Sequence, residues 1–371
     1  MLPLIRIHTF LAAALAILAL ACSGCASEPG IIFPQVAGAP CWPPPPDQAR
    51  ITYVGQLRTD QDLKPGLNSF DVLGQAIFGK SDAHSMLSPL AICTDNEDRL
   101  FVADSNAQLV HVFNLKDRKY TQWTPGKKQQ PFAQPVAAAW DPIHQHLLVS
   151  DSVAAAVLVF DTHGNYLGHL GGDEADKTLQ RPVGVAVDST PAHAGRVLVA
   201  DVKLHEIIVF SPEGKLQGHI GGRGDAPGKF NYPTYLAIDS TGLIYVSDSL
   251  NFRIQQFDAD FRFIRQIGKK GDFPGYFAEP KGIATDSQGH LYVVDAQFEN
   301  VQVYNSQGQV LMDFGEEGAA PGQFWLPVGL CVTSSSGVAG GTVGANRIYV
   351  ADSYNRRIQV FDYRGVPEDV P

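Results

Sequence analysis

The fold is decided by a ten-residue stretch, DSLNFRIQQF at residues 248–257, which returns as DSYNRRIQVF at residues 352–361. Both copies begin with an aspartate and end nine positions later with an aromatic residue. The same pair occurs six times, at Asp104/Phe113, Asp151/Phe160, Asp201/Phe210, Asp248/Phe257, Asp295/Tyr304 and Asp352/Phe361. A proline opens each unit, at Pro89, Pro135, Pro182, Pro233, Pro280 and Pro327. The period of 46 to 51 residues is typical of the blades of a β-propeller.

Each unit contains four short segments with the character of β-strands. In the fifth unit these segments are residues 282–285, 290–294, 301–304 and 310–314, and turn-forming residues separate them. No stretch after Ser88 shows a helical period. The sequence therefore predicts an all-β protein, a six-bladed propeller of four-stranded blades.

The two ends of the repeat region predict how the ring closes. The sixth unit reaches Gly365 without a fourth strand, and a strand-like segment, RITYVGQL at residues 50–57, precedes the first unit. This segment is similar to fourth-strand sequences such as KLQGHI at residues 215–220. We therefore expect an N-terminal strand to complete the last blade of a domain spanning residues 50–371, which would remove two open sheet edges.

The repeats resemble NHL repeats. The resemblance rests on the two ten-residue stretches above and on three connectors: GDAPGKF at 224–230, GDFPGYF at 271–277 and GAAPGQF at 318–324. It covers residues 88–362 and is weaker in the first two units, which lack this connector. Together with the N-terminal segment, the chain resembles bacterial NHL-repeat lipoproteins, and that resemblance implies a propeller fold without implying an activity.

The first residues are predicted to be a targeting segment. Arg6 precedes an apolar run at residues 10–21, which is too short to span a bilayer and suits a secretory signal. The sequence Ala19-Leu20-Ala21-Cys22 resembles a lipobox. We expect residues 1–21 to be a lipoprotein signal peptide and Cys22 to carry the lipid. Lipidation at Cys25 and an ordinary cleaved signal peptide are the alternatives.

The segment after the signal is rich in proline, with Trp42 followed by four consecutive prolines. Such a run favours an extended and semi-rigid chain, so we interpret residues 22–49 as a tether between the membrane and the propeller. This predicts a lipid-anchored protein of the cell envelope, on the periplasmic or outer-membrane face.

Charge and cysteine content exclude two classes of function. The net charge is −10, from 28 basic and 38 acidic residues, which argues against a nucleic-acid-binding protein. Five cysteines are too few for a disulfide scaffold. Cys93 and Cys331 occupy equivalent positions in the first and sixth units; a bridge between them is possible, but two thiols are favoured because neighbouring inner strands usually lie too far apart.

Histidines do not occur where a propeller enzyme of this kind would need them. Some NHL-repeat propellers are enzymes, and the peptidyl-hydroxyglycine lyases among them hold zinc in the central channel through histidines; the resemblance of this chain does not extend to that activity. The predicted channel-lining strands here contain no histidine; they are 90–94, 136–140, 183–187, 234–238, 281–285 and 328–332. His144 and His146 fall in a turn. We therefore expect no metal or cofactor and a non-enzymatic scaffold that binds a protein or ligand; the alternative is a lyase- or lactonase-type enzyme at the channel mouth.

One connector differs from the others. Residues 58–88 form a 31-residue link where most connectors have about ten to twelve residues. Within it, NSFDVLGQAIFG at 68–79 predicts a helix over about 67–79, with Phe70, Leu73 and Ile77 on one face. These three residues are the candidate partner-binding residues of a monomeric propeller, and a plug over the channel is the alternative interpretation.

Overall fold

The computed structural model describes residues 30–34, 36–64, 83–95, 97–126, 128–171, 178–334, 336, 339 and 344–365. The predicted signal peptide, Cys22, Cys25 and the predicted helix with Phe70, Leu73 and Ile77 lie outside the described residues. The described residues form strands and two 3-10 turns, Asp60–Leu63 and Ser249–Asn251. No helix in this part of the chain is long and apolar enough to cross a membrane.

The first half of the described chain contains two N-terminal strands and the strands of three blades. In chain order these are β1 (Cys41–Trp42), β2 (Ile51–Leu57), β3 (Pro89–Thr94), β4 (Arg99–Asp104), β5 (Leu109–Asn114), β6 (Lys119–Trp123), β7 (Pro135–Asp141), β8 (His146–Asp151), β9 (Ala156–Phe160), β10 (Tyr166–Gly171), β11 (Pro182–Asp188), β12 (Arg196–Asp201), β13 (Glu206–Phe210) and β14 (Leu216–Gly221). Blades 1 to 3 start at β3, β7 and β11.

The second half contains the strands of the other three blades. These are β15 (Pro233–Ile238), β16 (Ile244–Asp248), β17 (Arg253–Phe257), β18 (Phe263–Ile267), β19 (Pro280–Thr285), β20 (Leu291–Asp295), β21 (Asn300–Tyr304), β22 (Val310–Phe314), β23 (Pro327–Ser334), β24 (Asn346–Asp352) and β25 (Arg357–Tyr363). Blades 4, 5 and 6 start at β15, β19 and β23.

The sheets confirm the six-bladed propeller and its closure. Five sheets have four antiparallel strands in sequence order, and the sixth has the order β1-β2-β25-β24-β23. In this sheet β2 pairs antiparallel with β25, from Ile51 opposite Tyr363 to Leu57 opposite Ile358. The N-terminal strand therefore completes the last blade, as the sequence predicts.

The blades pack through aromatic residues and the glycines that make room for them. Phe324, in the connector before blade 6, is fully buried and lies against Gly315. A Cβ atom at Gly315 would overlap the Phe324 ring, and Gly315 has a φ of +91°, which favours glycine. Phe277 packs in the same way on Gly268, and Phe230 on Gly221. The Gly and Phe of the connectors thus fix how neighbouring blades meet.

The inner strands of neighbouring blades approach closely near the axis. A Cβ atom at Gly329 in β23 would lie 2.5 Å from the carbonyl oxygen of Leu90 in β3. Gly184 and Gly282 face the next blade at the same short distance. Only small residues fit this position unless the side chain turns into the channel.

The structure differs from the predicted tether over residues 30–34 and 36–49. Ile32 and Phe33 are buried in the core between blades 6 and 1, and Phe33 lies against Gly55 of β2. Trp42 belongs to the edge strand β1, which pairs with β2, and its ring packs on the rings of Phe314 and Phe361. The four prolines lie in the loop that reverses the chain between β1 and β2. The apolar residues around them bind this segment to the ring, so this part is not a free spacer.

This packing predicts that the N-terminal segment contributes to stability. Phe33 is 3% exposed, and we expect Phe33→Ala to cost about 3 kcal/mol and to lower the melting temperature by several degrees. The matched control is Ile31→Ala, two residues away and 58% exposed, which should leave the melting temperature unchanged. Thermal denaturation followed by circular dichroism distinguishes the two. Equal melting temperatures for both variants would mean that the segment is only loosely attached.

Candidate functional site

The strand directions define two faces of the ring. In every blade the opening proline pairs with the repeated aspartate, as Pro89 does with Asp104, so both lie at the same end of the blade. We call this end the upper face; it also carries the connectors between blades. The lower face carries the turns between first and second strands and between third and fourth strands.

The six repeated aspartates are fully buried on the upper side, and each holds a turn to a connector. Asp295 accepts hydrogen bonds from the backbone N–H groups of Ala278 (2.7 Å) and Glu279 (3.0 Å) in the connector, and from Gln297 and Phe298 (both 3.1 Å) in its own turn. In all six blades the connector residue two before the proline donates to the aspartate; these donors are Leu87, Ala133, Gln180, Asn231, Ala278 and Trp325. The six aspartates therefore have a structural role, since each one bonds the connector to the start of its blade.

Blades 4 and 6 add a buried ion pair to this arrangement. The Arg357 guanidinium donates to Asp352 at 2.6 Å and to the carbonyl oxygens of Ala319, Ala320 and Gln323 in the connector. Gln359 donates to Asp352 at 3.0 Å. The repeated DSxN-x-RIQ sequence therefore binds the GAAPGQF connector through one carboxylate.

A second set of buried aspartates lies at the lower ends of the first strands, and these residues also accept hydrogen bonds from turns. They are Asp95, Asp141, Asp188, Asp239 and Asp286. Asp286 accepts from the backbone N–H groups of Gln288 and His290 (both 2.9 Å), from the His290 ring (2.8 Å) and from the Tyr292 hydroxyl (2.9 Å). Burial alone would raise the pKa of Asp286, but these hydrogen bonds outweigh burial and lower it. The carboxylate is thus stabilised as an anion by its own turn.

The lower-face histidines are partners of these aspartates. The His144 ring lies 2.7 Å from Asp141, and the ring centroid of His146 lies 6.0 Å from that of His144. Among the described residues, no group of three or more His, Cys, Asp or Glu side chains is placed to hold a metal ion.

The central channel is lined by the first strands of all six blades and encloses a cavity of about 340 Å³. Tyr235 of blade 4 crosses the channel, and its hydroxyl donates to the carbonyl oxygen of Leu90 in blade 1, 3.2 Å away. Burial raises the pKa of Tyr235. The lining residues that the structure describes include no His, Asp, Glu, Lys or Arg.

Cys93 and Cys331 are free thiols in the channel wall. Cys331 packs in the core between blades 6 and 1, whereas Cys93 packs in the core between blades 1 and 2. Each side chain thus points towards the next blade in chain order around the ring, so the two thiols do not face each other. Burial raises the pKa of both thiols.

An exposed aromatic pair marks the upper face of blade 6. Trp325 and Tyr354 are 53% and 61% exposed, and their ring centroids are 5.8 Å apart in an edge-to-face contact. The backbone holds the pair, because Trp325 N donates to Asp352 and Tyr354 N donates to the Trp325 carbonyl oxygen. Leu87 is 45% exposed on the same face. The hydroxyl of the next residue, Ser88, lies 3.5 Å from the hydroxyl of Ser353, which precedes Tyr354 in the chain. We call Leu87, Trp325 and Tyr354 the aromatic patch.

Sequence reasoning missed this patch, although the repeats contain a signal for it. The positions equivalent to Trp325 hold Leu87, Ala133, Gln180, Asn231 and Ala278, and those equivalent to Tyr354 hold Asn106, Val153, Lys203, Leu250 and Gln297. Only blade 6 has aromatic residues at both. The candidates named from the sequence, Phe70, Leu73 and Ile77, lie outside the described residues, but the ends of their segment meet on this face, where Thr59 bridges to Ser85.

Comparison with known proteins supports the fold. A family model described as NHL repeat matches residues 230–257, so blade 4 contains an NHL repeat within a six-bladed propeller. No curated protein is significantly similar in sequence to the chain.

Three solved structures illustrate the similarity in fold. Virginiamycin B lyase from Staphylococcus aureus has a TM-score of 0.51 and 15% identity, over 74% of this chain and 95% of that one. A Bacteroides thetaiotaomicron protein of unknown function has a TM-score of 0.57 and 15% identity, over 76% of this chain and 70% of that one. An auxiliary nutrient binding protein of the same organism has a TM-score of 0.57 and 10% identity, over 76% of this chain and 71% of that one. At such identities the likeness shows the propeller fold alone.

The buried ion pair gives a stability prediction. Replacing Arg357 by Ala leaves the buried Asp352 carboxylate without its cationic partner and removes one donor from each of three connector carbonyls, so we expect a loss of about 3–5 kcal/mol. The control is Arg262→Ala, because Arg262 is 74% exposed and pairs with solvent-exposed Asp260. Urea denaturation should show a lower midpoint for Arg357→Ala and an unchanged midpoint for the control. Equal midpoints would contradict the assigned role of the ion pair.

Proposed function

We propose that this NHL-repeat propeller is a lipid-anchored, extracytoplasmic scaffold that binds a protein partner in the cell envelope through its upper face and catalyses no reaction. The observation that carries the proposal is the aromatic patch. Trp and Tyr provide large contact areas at low cost in conformational entropy and are enriched among the residues that dominate binding energy. Here they lie side by side on one blade, beside an exposed leucine.

The buried polar groups support binding over catalysis. The repeated carboxylates of the upper side bond to connector and turn N–H groups, and lower-face histidines such as His144 and His290 bond to turn aspartates. An enzyme needs an acid, base or nucleophile that is free to act on a substrate. The alternative, a lyase- or lactonase-type enzyme at the channel mouth, has a propeller with lyase activity among its relatives in fold, but that likeness concerns the fold alone.

The attachment of the N-terminal segment suggests which face is turned to the membrane. The Gly30 carbonyl accepts a hydrogen bond from Arg118, in the lower-face turn between β5 and β6. Phe33 N donates to Ala339, in the lower-face loop between β23 and β24. Seven residues lie between Cys22 and Gly30, and the eight Cα–Cα steps from one to the other span at most about 29 Å. A lipid at Cys22 would therefore hold the lower face near the membrane and leave the upper face free for the partner.

The long connector adds a second element to this surface. The proposed partner-binding residues Phe70, Leu73 and Ile77 belong to the same connector, residues 58–88, as Leu87 of the aromatic patch. We propose that they bind the same partner as the aromatic patch. The acidic net charge of −10 is compatible with a protein partner and unfavourable for nucleic acid.

The anchor has a direct test. Cys22→Ser should abolish labelling with a fatty-acid analogue, because no thiol remains at position 22 for the lipid, and should release the protein from the membrane fraction or leave it with its signal peptide uncleaved. Cys25→Ser is the matched control and should remain labelled and membrane-bound. Labelling and fractionation of the Cys22→Ser variant that match the unmodified protein would contradict the assignment of the anchor.

The partner-binding surface is tested by a pull-down from solubilised envelope. Trp325→Ala combined with Tyr354→Ala should reduce partner recovery at least tenfold, since residues of this kind contribute about 2 kcal/mol or more. Both side chains are exposed, so the melting temperature should not change. Val153→Ala combined with Leu250→Ala removes exposed apolar residues from the same face of other blades and should keep the partner.

A separate variant distinguishes the long connector from the aromatic patch. Phe70→Asp combined with Leu73→Asp should also lose the partner if the connector takes part in binding. Full recovery of the same partner with both the aromatic and the connector variant would overturn the proposed surface.

A further inference from the structure

We propose that the central channel is a pocket, closed at its upper end and entered from the lower face, for a small uncharged ligand that carries amide groups. This site is independent of the upper-face surface described above. It is carried by four features: the closure by Tyr235, the size of the cavity, the uncharged lining, and the inner strand edges that have no strand partner in the wall.

The closure at the upper end is made by one residue. Tyr235 stands two positions after the opening proline, where the other blades have Ala91, Ala137, Gly184, Gly282 and Gly329. Its ring crosses to the opposite side of the six-bladed ring, where the hydroxyl donates to the Leu90 carbonyl oxygen at 3.2 Å. Because this position lies near the start of the first strands, the ring blocks the channel towards the upper face. The remaining space opens towards the ends of the first strands.

The size of the cavity sets the size of the ligand. Its volume of about 340 Å³ corresponds to about eleven water molecules at about 30 Å³ each. It lies at the lower end of the range of about 300–1,000 Å³ for small-molecule sites. The side chains around it are mostly small; they include Cys93, Ala139, Ala237, Ala284 and Cys331.

The lining carries no charge that a charged ligand could pair with. The nearest carboxylates at the ends of the first strands, such as Asp239 and Asp286, are 8% exposed and accept hydrogen bonds from their turns. The thiols of Cys93 and Cys331 are neutral at pH 7, because burial raises their pKa. An ion in this space would lose its hydration without gaining a partner, so the site selects an uncharged molecule.

The wall offers both donors and acceptors. The first strands β3, β7, β11, β15, β19 and β23 are each the last strand of their sheet, so the edge facing the channel has no strand partner. Such an edge presents N–H and C=O groups in alternation and is complementary to amides. The Trp140 side chain also lines the cavity. A cyclic dipeptide, with two amides and no charge, has this chemistry.

The test uses the full chain and the thiols that the channel already contains. N-ethylmaleimide, which is uncharged, should alkylate Cys93 and Cys331 slowly from the lower face, and peptide mass spectrometry reports each cysteine separately. The cyclic dipeptide of glycine and phenylalanine should slow alkylation of these two thiols at least fivefold. Cys41, on the outer edge of blade 6, is the internal control and should react at an unchanged rate.

The matched ligand is linear Gly-Phe, which has the same residues with two terminal charges and should give no protection. Equal protection by the linear dipeptide, no protection by the cyclic one, or complete failure of Cys93 and Cys331 to react would each overturn the proposal.

Variants of the closing residue test the upper end. Tyr235→Phe keeps the ring and should retain the protection, whereas Tyr235→Ala opens the channel and should weaken binding of the cyclic dipeptide about tenfold. Ala226→Phe is the control for a change on the upper face outside the channel, and it should leave binding unchanged. It introduces the residue type that the next connector has at the equivalent position, Phe273. Unchanged binding in a folded Tyr235→Ala variant would contradict the closure. If that variant does not fold, the comparison of the two dipeptides on the unmodified chain still decides the proposal.

Discussion

The propeller depends on one repeated interaction, a buried carboxylate that accepts hydrogen bonds from a backbone N–H of the connector and from the turn of the same blade. Within a blade, neighbouring strands satisfy each other's backbone N–H and C=O groups. The connectors that cross the upper face cannot pair with a strand, so their N–H groups would be left without acceptors. The six aspartates solve this problem at the same place in every blade. Because each donor lies two residues before the opening proline, the same bond also fixes where the inner strand starts.

This constraint explains what the sequence could predict. A group that every blade needs is repeated, so the aspartates, the opening prolines and the connector glycines reveal the period, the number of blades and the closure by residues 50–57. Their structural role was also predictable, because repetition points to what the blades share. The predicted tether was wrong over its described part, since four prolines suggested a spacer while Phe33 and Trp42 bind the ring.

Features that occur once were not predictable in the same way. Tyr235 looks like an ordinary strand residue, and its contact with Leu90 joins residues 145 positions apart through the geometry of the ring. Trp325 and Tyr354 are 29 positions apart and become neighbours only because a turn and a connector meet at Asp352. A comparison of the repeats position by position would have shown both as exceptions, and these exceptions mark the proposed channel pocket and the proposed partner surface.

The central functional claim is that the upper face of blade 6 meets a protein partner while the lower face is turned to the membrane. The most direct test is photo-crosslinking in living cells, with a benzophenone amino acid placed at Tyr354 or at Ile143, which is 48% exposed on the lower face. The account predicts a protein adduct from position 354 and none from position 143. An adduct from position 143 alone, or no adduct from position 354, would contradict it.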